Sequence, residues 1–129
     1  MTTRTALARA ARALLPLAFL SVAAFATAAV HNHLVKSMPG EGDTLKASPA
    51  EIRLWFAERP EVAFTSVTLL RAPDSSRVAS IKATPLDDTL AVRAPLPATL
   101  PPGSYIVAWR SASRDGHAIR GRFSFTIAP

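Results

Sequence analysis

Beyond residue 31 the chain alternates between apolar and polar positions with a period of two, which is the spacing of a half-buried β-strand. In the segment 51–57 three apolar side chains at alternate positions share one face: Ile52, Leu54 and Phe56. Comparable runs predict further strands at 64–72, 89–95, 104–112 and 121–128, with weaker ones at 34–39 and 76–81.

Turn-forming residues separate these runs, among them Pro39-Gly40 and Pro101-Pro102-Gly103. The 11 prolines of the 129-residue chain disfavour long helices. Seven short strands without intervening helices therefore predict an all-β domain, an antiparallel β-sandwich of immunoglobulin-like type. The predicted inward-facing side chains are Leu54, Phe56, Val67, Leu69, Ile81, Val92, Tyr105, Val107, Trp109, Phe123, Phe125 and Ile127.

The first thirty residues have the pattern of a secretory signal peptide. Three arginines, no acid, an apolar run over 13–25 and small residues at 26–29 follow one another in the order that such a signal requires. We expect cleavage between residues 28 and 30 and an exported domain over 31–129. The alternative is a retained N-terminal anchor.

Composition narrows the chemistry of this domain. The absence of Cys excludes disulfides, thiolate metal sites and Cys nucleophiles. Loss of the three signal arginines leaves 12 basic and nine acidic side chains, a net charge of +3 instead of +6. These charges are scattered along the sequence without a basic block, so nothing indicates nucleic-acid binding.

The chain has only three histidines, His31, His33 and His117. A histidine at a cleaved N-terminus offers its α-amino group and its imidazole to one metal ion. Asp115 and His117, in the segment Arg-Asp-Gly-His, would complete a tetragonal set of nitrogen and oxygen donors that suits Cu(II). The alternative is a surface histidine beside an ordinary Asp-Gly turn.

Two separated motifs then resemble the CopC family of periplasmic copper-binding proteins. The segment "HNHLVKSMP" is similar to the mature N-terminus of that family, and "GSYIVAWRSASRDGHAIRGRFSFTI" is similar to its C-terminal half. The resemblance implies a seven-stranded Greek-key β-sandwich with cupredoxin-like topology that binds one Cu(II) ion. It assigns His31 as the amine and imidazole ligand and Asp115 and His117 as the other ligands.

The resemblance also suggests lesser roles for two further residues. His33 is expected to be a spectator or a supporting group near the metal, and Glu58, in "LWFAE", is expected at most to support the site. Some relatives hold Cu(I) in a Met-rich loop, but Met38 is the only methionine after residue 30. We therefore expect a protein that binds Cu(II) alone.

The predicted function is copper sequestration, or delivery of copper to an inner-membrane uptake protein, by a monomer that is not an enzyme. One alternative is a copper-dependent oxidative enzyme with a histidine-amine centre, and another is a metal-independent β-sandwich that binds a protein. The ligand set also depends on cleavage. Cleavage after Ala28 would place His31 third, where the amine, two backbone amides and the imidazole could form a different square-planar site.

Overall fold

The computed structural model describes residues 32–129, so the predicted signal peptide and His31 lie outside the described residues. Within this range the chain forms nine strands, one 3-10 helix and no α-helix, and no helix there is long and apolar enough to cross a membrane. The elements are β1 (Leu34–Met38), β2 (Thr44–Leu45), β3 (Glu51–Phe56), the 3-10 helix Val62–Phe64, β4 (Ser66–Arg71), β5 (Arg77–Lys82), β6 (Thr84–Pro85), β7 (Ala91–Pro95), β8 (Gly103–Ala112) and β9 (Ala118–Ile127).

The strands form two sheets packed face to face, which confirms the predicted all-β sandwich. One sheet has the order β1-β3-β7-β6 and the other the order β2-β9-β8-β4-β5. Neighbouring strands are antiparallel except for the short β2, which runs parallel to β9. All seven predicted strands are present, and the two additional ones, β2 and β6, contain two residues each.

The core lies between the two sheets and contains eleven of the twelve side chains predicted to face inward, together with Ile52, Ala83, Ala94 and Leu100. Ile81 is the exception, because it lies on β5, the edge strand of its sheet, and is only partly buried. Two aromatic pairs fill the centre. Phe56 meets Trp109 edge to face, with ring centroids 5.5 Å apart, and Tyr105 stacks on Phe125 at 5.6 Å.

Position 121 requires glycine because the Trp109 ring lies too close to its backbone to leave room for a Cβ atom. The two residues are cross-strand partners in β8 and β9, and a Cβ atom on Gly121 would lie 2.5 Å from Trp109 Cζ2. The same indole borders a shallow groove that Asn32 and Leu34 also line. The start of β1 and the β8–β9 hairpin therefore face each other across this groove.

Candidate metal centre

The loop that joins β8 to β9 carries both described candidate ligands. Ala112 and Ala118 are the last paired residues of the two strands, so five residues, 113–117, form the connection. The Gly116 N–H donates to the Ser113 carbonyl at 2.9 Å, and the Ser113 N–H donates to the His117 carbonyl at 3.2 Å. Gly116 has φ = +86°, a left-handed conformation that glycine adopts without a steric penalty. This turn places residues 115 and 117 side by side.

Asp115 and His117 are in direct contact. His117 Nδ1 lies 2.7 Å from Asp115 Oδ2, and the His117 backbone N–H donates to Asp115 Oδ1 at 3.0 Å. The Ser113 hydroxyl donates to the same Oδ1. Both side chains are open to solvent, with 84% of the His117 side chain and 61% of the Asp115 side chain exposed. An imidazole and a carboxylate are therefore presented together at the surface.

These donors keep the carboxyl group of Asp115 ionised. The Ser113 hydroxyl, then the His117 backbone N–H and then the His117 ring hold the pKa of Asp115 well below its usual range. Hydrogen bonds to a carboxylate favour its charged form. The loop thus offers a fixed negative oxygen beside a nitrogen donor, which is chemically suited to a cation.

The N-terminal end of the described chain is fastened to the segment after β3. Asn32 is 8% exposed, and its Oδ1 accepts the Glu58 backbone N–H at 2.9 Å. The Ala57 N–H donates to the His33 carbonyl, also at 2.9 Å. Asn32 Nδ2 is buried without a hydrogen-bond partner among the described residues. Residue 32, which directly follows His31, is thereby fixed in place.

The same segment also reaches the candidate loop. The Glu61 N–H donates to the Ala112 carbonyl at 2.9 Å, and Glu61 Oε1 lies 3.6 Å from Arg114 Nε. Residues 57–61 therefore border the fixed Asn32 on one side and the 113–117 loop on the other. The start of the described chain and the two candidate ligands lie at the same end of the sandwich.

The remaining predicted residues take the following positions. His33 is exposed and lines the groove beside Ile119, two residues beyond His117. Glu58 is half-buried, and its backbone N–H holds Asn32. Across residues 32–129, no group of three or more His, Cys, Asp or Glu side chains is arranged to hold a metal ion.

The sequence did not indicate the two residues that support this geometry. Asn32 stands between two histidines, and no periodicity marks it as a buried anchor. Glu61 links its segment to Ala112 and Arg114, but a lone acid before a predicted strand carries no signal of such a role.

The β-sandwich and the exposed Asp-His loop define a class of small all-β domains, and comparison with known proteins places the chain within it. The sequence model described as the CopC domain matches residues 34–128. The chain belongs to the CopC domain family, as its two motifs predicted.

Two of the relatives are named as proteins of copper transport and copper resistance. The chain is 33% identical over 112 residues to "Copper resistance protein C" of Escherichia coli, covering 78% of this chain and 84% of the relative. It is 33% identical over 115 residues to "Copper transport protein CutJ" of Bacillus subtilis (strain 168), covering 88% of this chain. The chain spans only 20% of the length of CutJ.

Two solved structures are similar in both fold and sequence. CopC from Methylosinus trichosporium OB3b has a TM-score of 0.70 and 32% identity, and the match covers 77% of this chain and 95% of that one. PcoC, a methionine-rich copper resistance protein from Escherichia coli, has a TM-score of 0.66 and 32% identity, with 75% and 98% covered. The chain is therefore related to copper resistance proteins along most of their length.

Proposed function

We propose that this protein binds one Cu(II) ion in the bacterial periplasm and serves copper resistance, by sequestering copper or by passing it to an inner-membrane uptake protein. The observation that carries the proposal is the contact between Asp115 and His117 in an exposed loop, at the end of the sandwich where Asn32 is fixed. The copper-resistance names of the relatives support copper as the ion.

The proposed ligands are the amine and imidazole of His31, with Asp115 and His117. Nitrogen and oxygen donors of this kind favour tetragonal Cu(II). Consecutive Cα atoms are about 3.8 Å apart, so the anchor at Asn32 limits how far His31 can lie from the loop. His33 and Glu58 are given supporting positions beside the ion, and Asn32 holds the N-terminal segment against the 57–61 segment.

The chain has few of the soft sulphur ligands that Cu(I) prefers. Thioether sulphur favours Cu(I), and a relative is described as methionine rich. Here Met38 is the only methionine after residue 30, and it is 51% exposed on β1. The proposal is therefore for a carrier of Cu(II) alone; that it does not turn over a substrate is a separate part of the proposal.

The cleavage point decides the role of the N-terminus. If the signal is removed after Val30, the amine of His31 is a ligand. If it is removed after Ala28, His31 is the third residue and copper can be held by the terminal amine, two backbone amides and the imidazole. Intact-mass analysis of the exported protein distinguishes the two.

The test is a competitive Cu(II) titration of the exported protein and two matched variants. Loss of a group that only supports a metal ligand reduces affinity about 10–100-fold. His117 is proposed as a ligand itself, so His117→Ala should weaken binding by more than about 100-fold. His33→Ala removes another exposed imidazole, and because a supporting group contributes about 10–100-fold, its effect should stay below that of His117→Ala. A wild-type protein without a stoichiometric site, or equal affinity in the His117→Ala variant, would reject the proposal.

Acidity should release the ion. Imidazole and amine ligands must be deprotonated to bind copper. Affinity should fall as the pH drops through the range near 6.5 in which free imidazole takes up a proton. An affinity that does not change between about pH 7 and strong acid would count against imidazole ligation.

A further inference from the structure

Four cations lie together on the outer face of the five-stranded sheet. Lys82 on β5 and Arg110 on β8 both pair with Ser66 of β4, and Arg110 pairs directly with Arg120 of β9. Arg122 lies on the same face of β9 at the next outward position. We call Lys82, Arg110, Arg120 and Arg122 the basic row. All four side chains are exposed.

The basic row has no acidic partner among residues 32–129. No ion pair joins any of its members to a described carboxylate. The acids at the two ends of this face have other partners. Glu61 Oε1 lies 3.6 Å from Arg114 Nε, and Glu41 accepts a hydrogen bond from Ser124. Like charges directly opposite one another in a sheet are destabilising. The Arg110–Arg120 pair therefore costs folding energy that the described chain does not offset.

The other sheet contains a similar arginine pair, and there the charge is neutralised. Arg53 of β3 and Arg93 of β7 are cross-strand partners. Glu51 Oε1 lies 2.5 Å from Arg53 Nε, and Glu51 Oε2 lies 3.9 Å from Arg93 Nη1. The same protein thus supplies an acid for one arginine pair and none for the other.

The basic row borders a shallow groove whose floor carries mostly small side chains. Ser66, Thr68 and Ala108 form the floor together with the larger Leu70, and three arginines of the row flank it. Phe64, which is 68% exposed, lines an adjoining groove together with Lys82. Arginine and aromatic side chains are enriched at the energetic centres of protein interfaces.

We propose that the basic row and Phe64 form a docking surface for a carboxylate-rich segment of a protein partner. The planar guanidinium group matches a carboxylate through two hydrogen bonds, and three of the four cations are arginines. A peptide chain can enter a groove with small residues on its floor, whereas a flat bilayer cannot. A single exposed aromatic side chain on this face also gives a bilayer little apolar area to bury.

The surface adjoins the candidate metal loop. Arg110 is three residues before Ser113, and Arg120 is three residues after His117. A partner seated on the basic row would therefore lie beside residues 113–117. The inference goes beyond the proposed copper function and does not need it, because docking is tested without copper.

The probe is a synthetic polyglutamate peptide of about ten residues, added at low ionic strength, where surface charges are least screened. Amide chemical-shift changes in the isotopically labelled exported protein should centre on the basic row and the 62–64 segment. The double variant Arg110→Gln/Arg120→Gln should bind the peptide at least about tenfold more weakly. It should remain folded, and its melting temperature should rise at low salt, because the opposed charges are removed.

The control double variant Lys46→Gln/Arg71→Gln loses the same net charge from exposed positions outside the row. Its affinity for the peptide should change by less than about twofold, since exposed charges elsewhere contribute little. Three results would overturn the proposal: no shifts at the row, equal weakening in both double variants, or binding of phosphatidylglycerol vesicles through the row without binding of the peptide.

Discussion

Replacement of Gly121 by alanine tests whether the Trp109 ring is held rigidly against β9. The new Cβ atom would lie 2.5 Å from Cζ2, 2.8 Å from Cε2 and 2.9 Å from Nε1 of Trp109. The ring is 8% exposed and meets Phe56 edge to face at 5.5 Å, so it has little room to move aside. Gly121→Ala should therefore overpack the core instead of finding space.

Two effects of opposite sign set the magnitude. Overpacking of a well-packed core costs about 1–3 kcal/mol. Reduced flexibility of the unfolded chain favours alanine by about 0.4–1 kcal/mol. The clash should win, with a net loss of about 1–2 kcal/mol. A domain of this size then melts roughly 5–15 °C lower. Thermal unfolding followed by circular dichroism measures this change.

The double-mutant cycle with Trp109→Phe assigns the cost to the indole. Phenylalanine lacks the indole atoms that crowd position 121, so the alanine should then cost nothing or be slightly stabilising. The two residues are in contact and should show a coupling energy of about 1 kcal/mol or more. Equal destabilisation by Gly121→Ala in both backgrounds would refute the close approach of Trp109 as its cause.

Two further changes test the elements that support the site. Asn32→Ala removes the acceptor of the Glu58 N–H, at a cost of about 1 kcal/mol. Hydrogen exchange at that amide should accelerate about fivefold, and an unchanged rate would exclude the anchor. Ser113→Ala should raise the pKa of Asp115 in a carboxyl NMR titration and leave Asp74 unchanged as the control. Because folding lowers the pKa of Asp115, its contribution to stability is present above about pH 4 and is lost as the pH falls towards the folded-state value. In the variant this loss should be smaller and should be complete at a higher pH, because only the folded-state pKa changes; an unshifted Asp115 titration would contradict the role of Ser113.

The period-two pattern was sufficient to predict the sandwich because each strand buries one face. Leu54, Val107 and Phe125 each lie on the inward-facing alternate positions of their own strand, and all three are buried. The pattern could not indicate that β5 is an edge strand, so the partial exposure of Ile81 was not foreseen. It also missed the two-residue strands β2 and β6, which are too short to show any periodicity.

The candidate site was predictable only where its residues are neighbours in sequence. Asp115 and His117 are two positions apart around a glycine, and a turn of this length brings their side chains together. The anchor at Asn32 depends on a contact with Glu58, 26 residues away, which sequence spacing does not encode. The joining of His31 to the loop stays a prediction.

The basic row shows the same limit for surface charge. Along the sequence Lys82, Arg110 and Arg120 are far apart, and nothing in their spacing distinguishes them from ordinary solvated side chains. Strand order and register bring them onto one face of the sheet. Neither property can be deduced from composition, because a shift of one residue in register would send every side chain to the opposite face.

The central claim is that one Cu(II) ion joins position 31 to the 113–117 loop. Pulsed electron paramagnetic resonance of the Cu(II)-loaded exported protein tests it most directly, because the method counts the imidazoles bound to copper. The account predicts two in the wild type and in His33→Ala, but one in His117→Ala and one in His31→Ala. A signal from a single imidazole that His117→Ala leaves unaltered would contradict the claim.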